Sequence, residues 1–315
     1  MRISLPTESE LEKGSSLGKD AWSRLRKNKL AMISMCFIGF MLIICFALPA
    51  LKLVEPALPF VDDPNEQNLA NRFASPSADH IMGTDQLGRD LFSRILFGGQ
   101  ISMLVGFVAT GVALIIGITY GAISGYAGGR TDAIMMRIVD TLYAIPFLVL
   151  VIVLKVVIAG PMEEYLSWLG RFANIVPLFF AIGALGWLTL ARITRTQVMA
   201  IKEQEFVEAA TSLGLSKLRI LFRHIVPNTL GPAIVYATLT IPSFILFEAS
   251  LSYLGVGIEA PNSSWGILIK EGADFLETQL YLLIIPGIFF SLTLFAFNFL
   301  GDGLRDALDV RASKD

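Results

Sequence analysis

A chain of 315 residues that is 54% hydrophobic and only 17% charged, with a mean hydropathy of +0.64, falls outside the range of ordinary soluble domains. It is expected to be an all-α polytopic membrane protein. A formal net charge of −2 gives no electrostatic reason for a nucleic-acid partner.

Residues 1–29 form a polar tail that ends in the basic run "RLRKNK" (Arg24 to Lys29). Within the tail, "GSSLGKD" (Gly14 to Asp20) resembles a phosphate loop only superficially. It has three residues between its glycines instead of four, Asp20 where Ser or Thr should meet magnesium, and no preceding strand. The apolar run 30–51 is long enough to span a bilayer and too long for a signal-peptide core, so it reads as a retained anchor. Cys36 and Cys45 lie in this run on roughly opposite helix faces. They cannot pair within the helix and read as small apolar side chains.

Residues 52–98 form a loop, acidic and Pro-containing at first, that ends in "GTDQLGRDLFSRILFGG". Leu91, Ile95 and Leu96 set against Arg89, Asp90 and Arg94 predict a short amphipathic helix lying at the membrane interface. A core of five further spans, 99–302, follows, with apolar runs at 101–123, 134–158, 175–194, 230–254 and 280–300. Lys155, at the end of the third run, is placed to reach headgroups. Pro146, Pro232, Pro242 and Pro286 interrupt or flank spans and predict bends. Residues 303–315 form the C-terminal tail. With six spans, 18 of the 25 Lys and Arg residues fall on the side of the two tails and 7 on the other. That bias puts both termini in the cytoplasm and the 52–98 loop outside, in a periplasm.

Between the fourth and fifth spans lies a charged cytoplasmic segment, 199–228, that includes "EQEFVEAATSLGLSKLRILFRHIVPN". Phe206, Val207, Ala210 and Leu213 form an apolar stripe at helical spacing. Glu203, Glu205 and Glu208 cluster towards the helix N-terminus, where the dipole favours them. Gly214 is placed to end this helix in a left-handed conformation. Ser216 then caps a second helix, Lys217 to Val226, which Pro227 is expected to stop. Ala209 and Ala210 permit close backbone approach, and Glu208 offers a charged anchor. Such a bent pair is either a docking surface or an amphipathic element resting on its own membrane domain, and periodicity leaves both open.

No catalytic arrangement stands out, and the chain is expected to be a non-catalytic subunit. His80 and His224 fall on opposite sides of the membrane, and neither has a partner at metal-ligand spacing. Glu248 in the fifth run and Asn298 in the sixth are polar groups at membrane depth. They are candidates for a substrate path, against a structural or interfacial role for Glu248 and a helix–helix hydrogen bond for Asn298.

"EAATSLG" (Glu208 to Gly214) followed by "HIVPN" resembles the EAA loop of ABC importer permeases. The general pattern of that family has Ile where this chain has His224, and Leu where it has Val226; the form "RHIVPN" is similar to the oligopeptide and dipeptide branch. "HIMGTDQLGRDLFSRILFGGQISMLVG", "SGYAGGRTDAIMMRIVD", "ILFEASLSYLGVG", "SSWG" and "FNFLGDGLRDALD" resemble the C-type subunit of oligopeptide permeases, and the likeness runs from about residue 20 to 310. The resemblance implies a type I ABC importer permease fold in a bacterial inner membrane. It implies that Phe206, Glu208, Ala209, Ala210, Gly214 and Leu215 couple the chain to ATPases. The implied partners are a homologous B-type permease, two cytoplasmic ABC ATPase subunits, a periplasmic solute-binding protein and a peptide substrate. It implies no cofactor on this chain, with ATP and Mg on the ATPases. Dipeptides, nickel chelates and glutathione are the alternative cargoes within the branch. An ion-gradient-driven transporter is a further alternative, for which Glu248 is the one candidate ionisable group.

Overall fold

The computed structural model describes residues 17–54 and 61–308. Expectations for 1–16, 55–60 and 309–315, which include much of both tails, lie outside the described residues. α1 (Leu17–Leu25) leads into α2 (Lys29–Leu42), whose first turn is capped by Asn28: its side-chain oxygen accepts from the Ala31 N–H at 3.1 Å. A π turn, Ile43–Ala47, joins α2 to α3 (Leu48–Val54). After the outer loop come α4 (Leu91–Ala127), α5 (Gly129–Tyr143), α6 (Phe147–Tyr165), α7 (Val176–Gly186) and α8 (Leu188–Lys202). The remainder is α9 (Glu205–Ser212), α10 (Lys217–Ile220), α11 (Val226–Tyr253), α12 (Trp265–Ala273) and α13 (Tyr281–Leu308).

Five segments are long and apolar enough to cross a bilayer: Lys29–Leu51, Leu91–Ala127, Val176–Lys202, Lys217–Tyr253 and Tyr281–Leu308. The sixth expected span is the pair α5–α6, which qualifies only as a unit and is bent by 94°. The break falls where Pro146 lacks an N–H and steers Ile145 away from helical backbone.

Three local expectations change. The amphipathic stretch at Leu91 is not a separate interfacial helix; it is the first turns of α4. Its apolar residues are buried because Leu91, Ile95 and Leu96 pack against Trp265, Leu268 and Leu282 of α12 and α13. Pro227 does not stop the second cytoplasmic helix either. A π turn, Leu221–Ile225, carries the chain into α11, with the Val226 N–H on the Leu221 carbonyl and the Asn228 amide donating to the His224 carbonyl at 2.6 Å. Lys155, finally, lies mid-helix in α6 and turns inward. Its Nζ donates to the carbonyls of Val256 (3.1 Å) and Gly257 (2.8 Å) and to Glu259 (3.1 Å), partners that lie just past the C-terminus of α11.

α4 is the central post. Gly117, Gly121 and Gly125 recur every four residues along the face it shares with α8. A β-carbon added at these positions would lie 2.9 Å from Leu190 Cβ, 2.3 Å from the Ala191 carbonyl oxygen and 2.7 Å from the Arg195 carbonyl oxygen. Only hydrogen fits, so the two backbones approach closely enough for dispersion to act where no hydrophobic drive exists between helices in lipid. At the end of the bundle that carries α1, here termed inner, Gly303 of α13 meets Ala31 of α2, and Leu25, Ala31 and Ala307 are buried together.

The outer end is held by charge. Asp85 Oδ2 accepts from Arg89 Nε and from an Arg94 guanidinium nitrogen, each at 2.6 Å, and Arg94 also meets Glu271 of α12 at 2.5 Å. Arg94 is only 3% exposed, so the network joins the outer loop, α4 and α12 in a setting of low dielectric. Tyr281 of α13 adds a hydrogen bond to the Thr84 carbonyl at 2.6 Å.

Candidate functional site

The inner end presents the bent pair that the sequence suggests. α9 ends in a Schellman arrangement: the Leu215 N–H donates to the Ala210 carbonyl at 3.2 Å and the Gly214 N–H to the Thr211 carbonyl at 2.9 Å. Gly214 has φ +75°, the left-handed conformation that glycine adopts without steric cost. Ser216 occupies the N-cap of α10 with extended backbone, but its hydroxyl makes no capping bond.

The stripe read from the sequence divides in two. Val207 and Ala210 are buried in a cluster with Ala122, Val198, Ile201, Ile220, Leu221 and Ile225, which holds α9 against the feet of α4 and α8. Phe206 and Leu213 point away, 41% and 82% exposed, and Leu218 of α10 joins them at 69%. Glu208, Ala209 and Gly214 are also exposed, whereas Leu215 is half-buried. Among the expected coupling residues, therefore, Phe206, Glu208, Ala209 and Gly214 share the free surface, and Ala210 belongs to the mounting. Three large apolar side chains are thus left exposed on two short helices, interleaved with charge.

The mounting is stiff. Asp132 at the start of α5 takes both Arg195 guanidinium contacts, from Nε and from the second guanidinium nitrogen, at 2.5 Å each, and accepts from Ser124 Oγ of α4 at 2.6 Å. A bidentate, charge-assisted pair resists shear better than a single contact. Lys202, the last residue of α8, donates to the Tyr126 carbonyl at 2.8 Å. α4, α5 and α8 are thus clamped together immediately above α9. Sequence reading missed this clamp; the four-residue glycine spacing in "GITYGAISG" was the signal available for the seam beside it.

The α5–α6 break, the α7–α8 junction and α11 line an open cavity of about 660 Å³. Tyr143, Phe147, Tyr236, Phe244 and Phe247 supply aromatic walls, and Thr189, Thr240 and Ser243 supply hydroxyls. Among the described residues, no charged side chain lines it. Tyr143 and Thr189 are hydrogen-bonded to each other. One turn further towards the inner end, Arg192 pairs with Asp140 at 2.6 Å and lies 4.2 Å from the centre of the Tyr143 ring.

Neither polar candidate named from the sequence reaches this cavity. Glu248 is fully buried where α4, α11 and α12 meet, accepting from Ser102 Oγ at 3.1 Å and Ser252 Oγ at 2.7 Å. Ser102 Oγ in turn accepts from the Trp265 N–H at 3.2 Å, so the carboxyl knits three elements. Asn298 donates to the Leu294 carbonyl of its own helix at 2.9 Å and faces outward from α13.

A multi-span helical bundle with a cavity lined by aromatic rings and hydroxyls, and an exposed bent helix pair rigidly mounted at one end, has the build of a transporter's membrane subunit. Residues 117–314 match the family described as the binding-protein-dependent transport system inner membrane component, and the chain belongs to that family. Residues 16–76 match the N-terminal transmembrane domain of oligopeptide transport permease C. The chain is 44% identical to an oligopeptide transport system permease protein of Haemophilus influenzae, over 96% of this chain and 91% of that one. It is 43% identical to the oligopeptide transport system permease protein of Escherichia coli K12 (95% and 92% covered) and 42% identical to a dipeptide transport system permease protein of Bacillus subtilis (94% and 86% covered). It is accordingly a non-catalytic, multi-pass component of an inner-membrane ABC transporter, whose partners include an ATPase and a binding protein.

Proposed function

We propose that this chain is one of two permease subunits of an ATP-driven oligopeptide importer. It pairs with a homologous B-type permease, rests on two ABC ATPase subunits and receives peptide from a periplasmic solute-binding protein. ATP and Mg belong to the ATPases. The observation that carries this reading is the exposed apolar face of Phe206, Leu213 and Leu218, mounted on the Val207 and Ala210 cluster. That surface is the grip through which ATPase closure turns α8, and through α8 the α4 and α5 walls. The cavity bounded by Tyr143, Thr189, Tyr236 and Phe244 is the half-path contributed by this chain. Its hydroxyls and aromatic rings interact with a peptide backbone whatever the side chains carry, and with no fixed charge it does not sort peptides by their own.

A photo-crosslinking amino acid at position 213 in the assembled transporter tests the docking role, with position 207 as the inward-facing control. Cross-linking to the ATPase from 213 and not from 207 is the expected result; labelling of lipid alone from 213 would overturn it. Dipeptide import is the second reading, favoured by the 42% identity to the Bacillus subtilis dipeptide permease. Competition between dipeptides and tetra- or pentapeptides for uptake separates the two.

A further inference from the structure

On the outer face, remote from the coupling pair and the cavity, Asp62, His80 and Asp90 each bring one ligand atom to within 4.8 Å of the others. They line a pocket of about 170 Å³ that also includes Asp63, Glu66 and Asn71. We propose that this pocket binds one divalent transition-metal ion of the zinc class, which staples the outer loop to the start of α4.

The carboxylate of Asp90 is already fixed. Its Oδ2 caps α4, accepting from the Ser93 N–H and the Ser93 hydroxyl at 2.7 Å each, which turns Oδ1 towards His80 Nδ1 at 3.2 Å. Four-coordinate zinc with bonds of about 2.0–2.2 Å keeps neighbouring ligand atoms roughly 3.4 Å apart. The His80–Asp90 separation is therefore already one edge of such a polyhedron. Asp62 has to close by little more than about 1 Å to supply a third ligand, a short movement for a loop carboxylate. The same serine braces that approach, since Ser93 Oγ accepts from the Asp62 backbone N–H at 2.8 Å.

His80 also has the outer partner that a metal-bound imidazole needs. Its Nε2 lies 3.3 Å from the side-chain amide of Asn71. With a metal on Nδ1, Nε2 carries the proton, and a half-turn of the Asn71 amide presents an oxygen to receive it. This is the usual way a ligating imidazole is oriented. The donor set of one imidazole nitrogen and carboxylates suits zinc or its first-row neighbours over calcium and magnesium, which take oxygen alone. Asp63 and Glu66 deepen the negative potential of the pocket, and water completes the coordination.

The test uses the full-length, tag-free chain in detergent, stripped by a chelator and titrated calorimetrically with Zn²⁺ alone, with Ca²⁺ as comparator. One equivalent of Zn²⁺ is expected to bind, undisplaced by Ca²⁺. His80→Ala should weaken binding at least tenfold, and Asn71→Ala about tenfold, as loss of an outer partner does. If His80→Ala does not fold, Asp62→Asn stands in for it, and helical content is checked by circular dichroism. Absence of saturable Zn²⁺ binding would overturn the proposal, leaving only a His80–Asp90 hydrogen bond. Binding unchanged by His80→Ala, or by Asp62→Asn in its place, would do the same.

Discussion

Gly214 offers the sharpest test of how the coupling pair is built. Its φ is +75°, yet a methyl group added there meets no heavy atom within 4 Å. Any penalty on substitution is therefore conformational and not steric. The left-handed region costs an ordinary L-residue about 1–2 kcal/mol, and Asn, which visits it more readily, less. A penalty of that size lowers the population of the Schellman bend by roughly 5–30-fold against competing turns. Val, β-branched, should exceed the range. Peptide taken up per ATP hydrolysed, measured with the transporter and its partners in proteoliposomes, should fall in the order Gly, Asn, Ala, Val. Equal behaviour of Asn and Val, or an Ala variant indistinguishable from the parent, would refute the argument that backbone conformation at this residue sets the bend.

Other expectations follow from packing and charge. Gly121→Val drives a side chain into the Ala191 carbonyl, 2.3 Å from the new β-carbon, and should cost about 1–3 kcal/mol in detergent melts. Gly111→Ala on the same helix, where nothing lies within 4 Å, should be neutral or gain up to about 1 kcal/mol from helix propensity. Arg94→Met removes the more buried of the two cations that Asp85 and Glu271 share and leaves them Arg89 alone. A loss of about 1.5–3 kcal/mol is expected, with earlier protease cleavage in the 61–90 loop. A double-mutant cycle on Asp132→Ala and Arg195→Ala should return a coupling energy of about 0.5–3 kcal/mol by thermal unfolding; additivity would show that the clamp contributes nothing.

Residues in direct sequence proximity explain most of what was legible beforehand. The apolar runs, the basic bias and the glycine-hinged pair are local properties of chain length, charge and backbone conformation. The third run, in contrast, holds a right-angled bend at Pro146 that hydropathy averages away. The end of its apolar run points Lys155 towards headgroups, but the helix continues to Tyr165, and carbonyls more than a hundred residues away capture the ammonium. Proline cannot donate, which marks Pro227 locally as a stop, but a π turn shifts the bonding by one residue and lets the helix pass.

The sequence by itself determined the class of protein, its apolar runs and the left-handed hinge at Gly214, since each follows from composition or from torsions within a few residues. Tertiary structure alone decided which side of α9 is mounted and which is free, because a helical period defines a stripe without saying what will cover it. It also decided that Glu248 lies in a packed junction among hydroxyls, outside the cavity. Asp62, His80 and Asp90 meet for the same reason: loop closure, which has no periodicity, brings distant ligands together.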